Sequence, residues 1–270
     1  MKRRLVGTVA WVVLLAPAVR AGQMSVYYSP SAQVEYEGTG YRSTAQGWEL
    51  KVKPLSAATG FVWDHDLTKG RSLNIQYWRN ESYYHREDGN ALSATLRQTG
   101  LTRLAFHNVL AGLRVPVKER RLAASLGLQG VRETFDRTGF VFNGNATGET
   151  ACSSLGGIGA CLGLHGGSKG VEPKKCAFYS DWDLMFGHLF LTTGRPRAEG
   201  GSIHRDGYTY TFRLEAGVSS PRWRCGLSYV RQLFQVQFPG GASLPSGAAA
   251  SLPINKTDFF GPFLNLSYVY

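Results

Sequence analysis

The stretch that decides the fold is DFFGPFLNLSYVY, residues 258 to 270. Successive side chains of a β-strand point to opposite faces, so residues of one parity share a face. One parity carries large apolar groups, at Phe260, Leu264, Leu266, Tyr268 and Tyr270. The other parity holds Asn265 and Ser267 together with Gly261, Phe263 and Val269. The stretch is therefore predicted to be a one-sided strand that ends on an aromatic residue.

The apolar face of this strand needs an apolar partner, and lipid is the natural candidate. A closed antiparallel barrel spans a bilayer with an apolar outer surface, aromatic girdles and alternating side chains. The segment resembles the carboxy-terminal assembly signal of Gram-negative outer-membrane β-barrel proteins, in which alternate hydrophobic residues precede a terminal aromatic one. This resemblance implies an outer-membrane location and insertion by the barrel-assembly machinery with periplasmic chaperones. The alternative is the last strand of a secreted, soluble β-sandwich.

The amino-terminal residues 1–21 have the pattern of a secretory signal peptide. Three basic residues precede an apolar run from Leu5 to Leu15, and Val19-Arg20-Ala21 offers a small-residue cleavage site. Cleavage is expected after Ala21. No cysteine follows that site, which argues against a lipid-anchored lipoprotein. Residues 22–270 then form a single β-barrel domain, since no further apolar run approaches the roughly 20 residues that a membrane helix needs.

Composition agrees with a barrel and limits the partners. The chain has 13 Tyr, 14 Phe, 6 Trp and 33 Gly, and it carries a formal net charge of +11. A basic exported protein can attract anionic lipid head groups, such as lipopolysaccharide phosphates, or acidic saccharides. A merely solvated basic surface is the alternative. A nucleic-acid partner is not expected, because no basic cluster is interleaved with stacking aromatics. We expect a monomer in contact with outer-membrane lipid and lipopolysaccharide.

Two hairpins show the period of two most clearly. The first runs from Leu101 to Phe142 around a charged turn at Lys118–Arg121, and the second joins Tyr208–Val218 to Trp223–Tyr229. Further strands are predicted at residues 25–36, 48–63, 72–84, 178–191 and 258–270. These make nine strands, and single-chain bacterial barrels have even numbers.

The missing strand is assigned to Ile158–Leu164, where apolar residues alternate with glycine and Cys161. Accepting it predicts an antiparallel up-and-down transmembrane barrel of about ten strands, with eight or twelve as alternatives. Pro54 argues against an unbroken ladder in the second strand. Short turns at residues 64–70, 118–121, 165–175 and 219–222 are assigned to the periplasm. Longer external loops are expected at residues 38–46, 86–98, 143–155, 192–207 and 239–257.

Strand parity points several charged side chains into the lumen. They are Glu49, Lys51, Lys53, Arg114, Asp181, Asp183, Arg213, Glu215 and Arg224. In so narrow a barrel we expect them to neutralise one another in an ion-pair network, since buried charges are generally paired. The functional alternative is a selective path for small anions, with Arg114, Arg213 and Arg224 as its selectivity elements.

Four cysteines in an exported chain favour disulfides. Their spacing leaves three pairings open, and Cys152 with Cys161 is the first choice because both lie in one Gly-rich stretch. Zinc is the rival interpretation, but no C-x-x-C or paired Cys/His spacing is present.

The sequence offers little for catalysis. Asp64-His65-Asp66 falls in a predicted periplasmic turn, and Asp181 with Asp183 faces the lumen, where Arg213 could neutralise the pair. The six histidines lack metal-ligand spacing, and no G-x-S-x-G occurs. We therefore expect no catalytic residues, no cofactor and no metal. The predicted role is structural or surface-interacting, carried by the external loops; a narrow channel for small anionic solutes is the first alternative and a barrel enzyme the second.

Overall fold

The computed structural model describes residues 22–39, 49–52, 55–67, 70–90, 97–118, 122–142, 144–146, 148, 151–167, 176–195, 203–236, 242–243, 249–250 and 256–270. In parts of these ranges, mainly at one end of the strands, only the backbone is described. The predicted signal peptide lies outside the described residues. None of the described residues forms a helix of the length and apolarity needed to cross a membrane.

Nearly all of the described residues lie in β-strands. Their bounds are β1 Gly22–Thr39, β2 Glu49–Val52, β3 Leu55–Asp66, β4 Ser72–Ser82, β5 His85–Asn90, β6 Arg97–Lys118, β7 Leu122–Phe142, β8 Asn145–Ala146, β9 Ala151–Gly167, β10 Ala177–Arg195, β11 Ile203–Ser219, β12 Trp223–Val236, β13 Ala242–Ser243, β14 Ala249–Ala250 and β15 Lys256–Val269.

Ten of these strands close into an antiparallel barrel. Its order is β1-β3-β4-β6-β7-β9-β10-β11-β12-β15, and β15 pairs back to β1. The short β2, β5 and β8 prolong the sheet at one end, on β1, β6 and β7. The prediction of an up-and-down, ten-stranded barrel is confirmed, and the even number is typical of bacterial outer-membrane barrels.

The weak, glycine-rich tenth strand is present and is longer than predicted. Strand β9 spans Ala151–Gly167 and pairs along its length with β7 and β10. Its parity is also as expected, because Ile158 and Leu162 are 58% and 62% exposed while Cys161 is 1% exposed. Glycine weakens a strand by propensity, but two neighbouring strands supply the complete ladder that holds this one in place.

The outer surface of the barrel is an apolar belt. Exposed side chains from every part of the barrel contribute, among them Val26, Tyr77, Val109, Leu126, Leu128, Leu162, Phe186, Leu214, Leu227 and Leu264. A soluble β-sandwich would bury such residues between two sheets. A continuous apolar exterior on a closed sheet instead suits the hydrocarbon core of a bilayer.

The seam between the first and last strands is fixed by the terminal aromatic residue. The backbones of Gly22 and Tyr270 exchange two hydrogen bonds, of 3.0 and 3.1 Å. Trp63 Nε1 donates to Tyr270 Oη at 2.7 Å, and Trp223 and Tyr268 lie beside them with ring centroids 4.9 Å apart. These rings form an aromatic girdle at the end of the lipid belt that the short turns assign to the periplasm.

The lumen is filled in layers, and strand β12 shows their order from the periplasmic end. Arg224 belongs to a charged layer, Val230 to a first apolar cluster, Gln232 to a layer of amides and Phe234 to a second apolar cluster. The last three side chains are at most 2% exposed. The first apolar cluster is Tyr27, Ala32, Ala58, Val62, Trp78, Leu110, Cys161, Met185, Val230 and Phe263. The second is Val34, Leu104, Phe106, Val131, Phe135, Leu155, Leu189, Phe234, Val236 and Phe259.

All five predicted external loops are too long: β1 ends within residues 38–46, and β13, β14 and the start of β15 lie within 239–257. Strand β5 and the start of β6 lie within residues 86–98, β8 and the start of β9 within 143–155, and the ends of β10 and β11 within 192–207. Beyond the lipid belt both faces of a strand can be polar, so the sequence loses its period of two although the pairing continues. The interruption expected at Pro54 falls on residues 53–54, which lie outside the described residues; β2 and β3 pair with β1 on either side of them in one register.

The predicted disulfide between Cys152 and Cys161 is wrong. Both cysteines lie on β9, nine residues apart, and all four cysteines are free thiols. A strand rises roughly 3.3 Å per residue, which separates these two by about 30 Å. A disulfide requires Cα atoms within about 7 Å of each other. Cys152 was expected in the loop 143–155 but lies on the same extended strand as Cys161, and this excludes the short closure.

Candidate functional site

The charged layer of the lumen is centred on Asp183 of β10. This carboxylate is 1% exposed and accepts a hydrogen bond from Arg114 Nη2 at 2.8 Å. Its second oxygen is ion-paired with Arg213, which β11 places directly across from Asp183. His165 Nδ1 on β9, the other neighbouring strand, lies 2.8 Å from Asp183 Oδ1. Parity puts all four side chains on the inner face, and the barrel is narrow enough for Arg114 to reach across it.

Asp64 extends this network to β3. Arg114 Nη1 donates to Asp64 Oδ1 at 2.5 Å, and Asn74 Nδ2 donates to the same oxygen at 2.8 Å. Asp64 was expected in a periplasmic turn together with His65 and Asp66. That expectation is wrong, because β3 continues to Asp66 and carries Asp64 onto its inner face.

Glu215 of β11 is the second buried carboxylate of the layer. It is 1% exposed and accepts hydrogen bonds from Tyr27 at 2.7 Å, Tyr179 at 2.6 Å and Asn265 Nδ2 at 2.7 Å. Arg213 Nη1 lies 3.3 Å from Glu215 Oε2 and also donates to Tyr27. Charge-assisted bonds from several strands stabilise this carboxylate where water is excluded.

A separate pair lies nearer the periplasmic end. Arg224 Nη1 donates to Asp181 Oδ2 at 3.0 Å, and both side chains are partly exposed. The Arg224 guanidinium also lies over the ring of Tyr179, 5.1 Å from its centroid. This contact joins the pair to the Glu215 cluster.

The layer forms the floor of a cavity of about 470 Å³ at the periplasmic mouth. Asp64, Asp181 and His165 line it, as do Arg114, Arg213 and Arg224. Three guanidinium groups in the layer face four carboxylates, those of Asp64, Asp181, Asp183 and Glu215. The cavity floor therefore carries no positive excess, and each of the three arginines already has an acidic partner.

The structure brings together six of the nine charged residues assigned to the lumen: Arg114, Asp181, Asp183, Arg213, Glu215 and Arg224. Lys53 lies outside the described residues, and for Glu49 only the backbone is described. For Lys51, in β2, only the backbone is described. Sequence reasoning missed Asp64, His165, Tyr27, Tyr179 and Asn265. The parity of β3 could have found Asp64 had that strand been extended by one residue, and the parity of Tyr27 was equally readable. The contact between Tyr27 and Glu215 could not be read from the sequence, because the two residues are 188 positions apart.

The chemistry available at this site is limited. His165 and Asp183 form the imidazole–carboxylate pair that orients a general base in many enzymes. Here, however, two guanidinium groups already neutralise the carboxylate, as in a structural ion-pair network. Among the described residues, no group of three or more His, Cys, Asp or Glu side chains is placed to hold a metal ion.

The protein was compared with known families, curated proteins and solved structures. No protein-family model matches the sequence, and no curated protein matches it significantly. The outer membrane protease OmpT of Escherichia coli is similar in structure, with a TM-score of 0.55 at 12% identity over 94% of this chain and 98% of that one. The translocator domain of the autotransporter NalP of Neisseria meningitidis gives 0.37 at 11% identity, covering 98% and 95%. An outer membrane channel of Pseudomonas putida F1 gives 0.36 at 14% identity, covering 94% and 96%.

This chain is an outer-membrane β-barrel. The closed ten-stranded sheet, its apolar exterior and the likeness to OmpT support that conclusion together. At 12% identity, the likeness shows the fold alone.

Proposed function

We propose that this protein is a non-enzymatic outer-membrane barrel with a closed lumen, which anchors a raised β-structure at the cell surface and acts there by contact. The observation that carries this proposal is the filling of the lumen. Phe106, Phe234 and Phe259 pack across the outer half at 1%, 1% and 2% exposure. The amides and the first apolar cluster lie below them, and the charged layer follows. Ions or solutes would have to displace every layer in turn, including paired buried charges.

The strands that rise beyond the lipid belt support a surface role. Strands β6 and β7 have 22 and 21 residues, whereas a tilted membrane strand needs about 9–11. On β7, Leu126 and Leu128 belong to the lipid belt, and Arg132 begins the polar part beyond it. We call the paired strands beyond that level, residues 85–90, 97–105, 133–142 and 151–155, the extracellular wall. An ordered platform of this kind offers a larger contact surface than short connecting loops.

The partners that fit this role are outer-leaflet lipid and lipopolysaccharide around the belt, and surface molecules at the wall. Assembly by the barrel-assembly machinery is part of the same proposal, and the barrel class supports it. We propose that the protein works as a monomer.

Two measurements on the full chain test the proposal. Planar-bilayer recordings of the refolded barrel should stay at background conductance; discrete openings would contradict a closed lumen. Cells that carry the barrel should bind immobilised heparin or matrix protein more strongly than cells without it. A variant in which residues 83–102 are replaced by Asn-Gly should lose that binding, since it removes part of the wall while leaving the lipid belt intact. Normal heat-modifiable gel mobility would verify that this variant is folded.

A narrow solute path is the second candidate, supported by the periplasmic cavity of about 470 Å³. Its arginines are paired with carboxylates, so an anion would have to compete with those partners. Conductance above background that falls in Arg213→Ala would favour this candidate over the closed barrel.

A further inference from the structure

The outer face of β4, β6 and β7 carries a basic cluster directly above the lipid belt. The strand register places Arg79, His107 and Arg132 side by side, since Arg79 pairs with His107 and His107 pairs with Arg132. All three point outward, because their neighbours Asn80, Asn108 and Val131 are buried in the lumen. We call Arg79, His107, Arg132 and the nearby Arg103 the basic face.

The lipid belt continues immediately below the basic face. Tyr77 on β4 and Val109 on β6 lie two residues closer to the periplasm than Arg79 and His107, and they are 37% and 44% exposed. Ile158 and Leu128 flank them at 58% and 67% exposure. Acyl chains can therefore pack against the barrel at the level where the positive charges begin.

The charges of the basic face are only partly neutralised. Glu81 is shared between two guanidiniums, with Arg79 Nη2 at 2.6 Å from Glu81 Oε2 and Arg103 on the other oxygen. Arg132 is exposed and makes no ion pair with a described residue. Tyr77 Oη and His107 Nδ1 lie 2.9 Å apart, so the imidazole is held in place between the two arginines. Asp136 pairs in register with Arg103 and lies on the same outer face, since Phe135 beside it is buried in the lumen. Three guanidiniums therefore face two carboxylates, which leaves one excess positive charge.

The opposite side of the barrel differs at the same level. There β10 and β11 present a cluster of rings, with His188 stacked on Tyr208 at 5.2 Å and Phe186 beside Tyr210 at 5.2 Å. The arginine on the neighbouring β12, Arg231, binds Asp258 through Nε at 3.0 and 3.1 Å and through Nη2 at 2.5 Å. Among the described side chains of these two faces, the excess positive charge thus lies on β4, β6 and β7.

We infer that the basic face binds the phosphate of an outer-leaflet lipid head group, with the acyl chains of that lipid on Tyr77, Val109 and Leu128. Guanidinium groups match phosphate oxygens in geometry and charge, and their bonds to phosphate are charge-assisted. The aliphatic stems of arginines at an interface lie along apolar surface while the charged heads reach the head-group layer. The inference rests on the contact with lipopolysaccharide in the proposed function, and it gives that contact a place and a chemistry.

The test uses the full barrel in detergent micelles, titrated with lipopolysaccharide, with enzymatically dephosphorylated lipopolysaccharide and with inorganic phosphate. The double variant Arg79→Gln/Arg132→Gln should weaken lipopolysaccharide binding about tenfold or more for each arginine removed. Dephosphorylated lipopolysaccharide should bind the wild type as weakly as intact lipopolysaccharide binds the variant. Inorganic phosphate at millimolar concentration should fail to displace the lipid, because it lacks the acyl contacts.

Arg231→Gln is the matched control, since it removes an outward arginine at the same level that already has an acidic partner. It should leave the affinity for lipopolysaccharide unchanged. Equal binding by the double variant and the wild type, equal binding of both lipid forms, or displacement by inorganic phosphate would each overturn the inference. These outcomes are independent of conductance and of heparin binding. The lipid site can therefore be disproved while the closed barrel is upheld, and the closed barrel can be disproved while the lipid site is upheld.

Discussion

The guanidinium of Arg114 on β6 binds the carboxylate of Asp183 on β10 across the lumen, with Nη2 and Oδ1 2.8 Å apart. Both side chains are at most 5% exposed, and Arg213 and His165 complete the shell of Asp183. The two strands are separated by β7 and β9 in the sheet, so this bond joins parts of the barrel wall that are not neighbours. The charged layer therefore links strands that are not neighbours, and it also closes the lumen.

Removal of the Asp183 charge should strongly destabilise the barrel. In Asp183→Asn, Arg114 and Arg213 lose the carboxylate that compensates them where water is excluded, and breaking such a buried pair costs about 3–5 kcal/mol. Urea unfolding of the refolded protein, followed by tryptophan fluorescence, would measure the loss. Asp181→Asn is the control, because its partner Arg224 is partly exposed and the cost should be at most about 1 kcal/mol. Equal losses in both variants would show that the network is not centred on Asp183.

Gly60 should not tolerate a side chain. It lies on the inner face of β3 directly across from Trp78, and a methyl group added there would overlap the indole ring. Trp78 is 1% exposed and packs on Tyr27 and Phe263 at 5.1 and 5.9 Å, so it has little room to move. Gly60→Ala should cost about 1–3 kcal/mol of unfolding free energy.

A double variant separates this clash from a change in strand propensity. Adding Trp78→Leu to Gly60→Ala should recover part of the stability lost in Gly60→Ala, measured against Trp78→Leu alone. If the losses of stability in Gly60→Ala and Trp78→Leu simply add up in the double variant, the result would argue against the clash.

The hydroxyl of Tyr270 should contribute to the closing seam. Tyr270→Phe keeps the ring but removes the acceptor of the 2.7 Å bond from Trp63 Nε1, and we expect a loss of about 1 kcal/mol. Tyr270→Ser removes the ring as well and should slow assembly in cells, seen as a larger fraction without heat-modifiable gel mobility. Tyr268→Phe is the control for removal of a hydroxyl. A loss of stability as large as that of Tyr270→Phe would show that the bond from Trp63 does not stabilise the seam specifically.

Single layers of the lumen should be dispensable for closure. Phe106→Ala should cost about 3–5 kcal/mol as a core truncation, and yet leave bilayer conductance at background, because the amide, first apolar and charged layers remain. Phe190→Ala, which truncates an exposed ring of the outer surface, is the control for general effects on insertion. Stepwise conductance in Phe106→Ala alone would mean that the outer apolar cluster is the only barrier.

The free cysteines provide a test of orientation. Cys152 and Cys176 are exposed near opposite ends of the barrel, and Cys161 is buried in the lumen. A membrane-impermeant maleimide should label Cys152 on intact cells, and Cys176 only after the outer membrane is permeabilised. Each is measured in a variant with the other cysteines replaced by serine. Labelling of Cys176 on intact cells would invert the assigned orientation, and a change of gel mobility on reduction of the wild type would contradict four free thiols.

The strands of this protein were predictable because a bilayer-facing barrel imposes a local rule. The outward residues of β15, such as Leu264 and Leu266, must be apolar wherever they meet lipid, so a period of two appears in the sequence itself. The requirement of an even strand number then located β9 despite its glycines. Beyond the lipid belt, outward residues need not be apolar, and the period of two disappears. For this reason β5, β8 and the outer ends of β9 to β11 were assigned to loops.

By itself, the sequence determined the barrel class, the strands within the lipid belt, the face to which each side chain points and the residues available for a charged lumen. Only the tertiary structure decided which of these residues meet. Parity places Tyr27 and Glu215 inside, but the closure of β1 on β15 and the width of the barrel bring groups 188 residues apart to 2.7 Å. The face to which a side chain points is a local property of an extended chain, whereas contact across the lumen depends on strand order and register. The same reason separates Cys152 from Cys161, because both lie on a single extended strand.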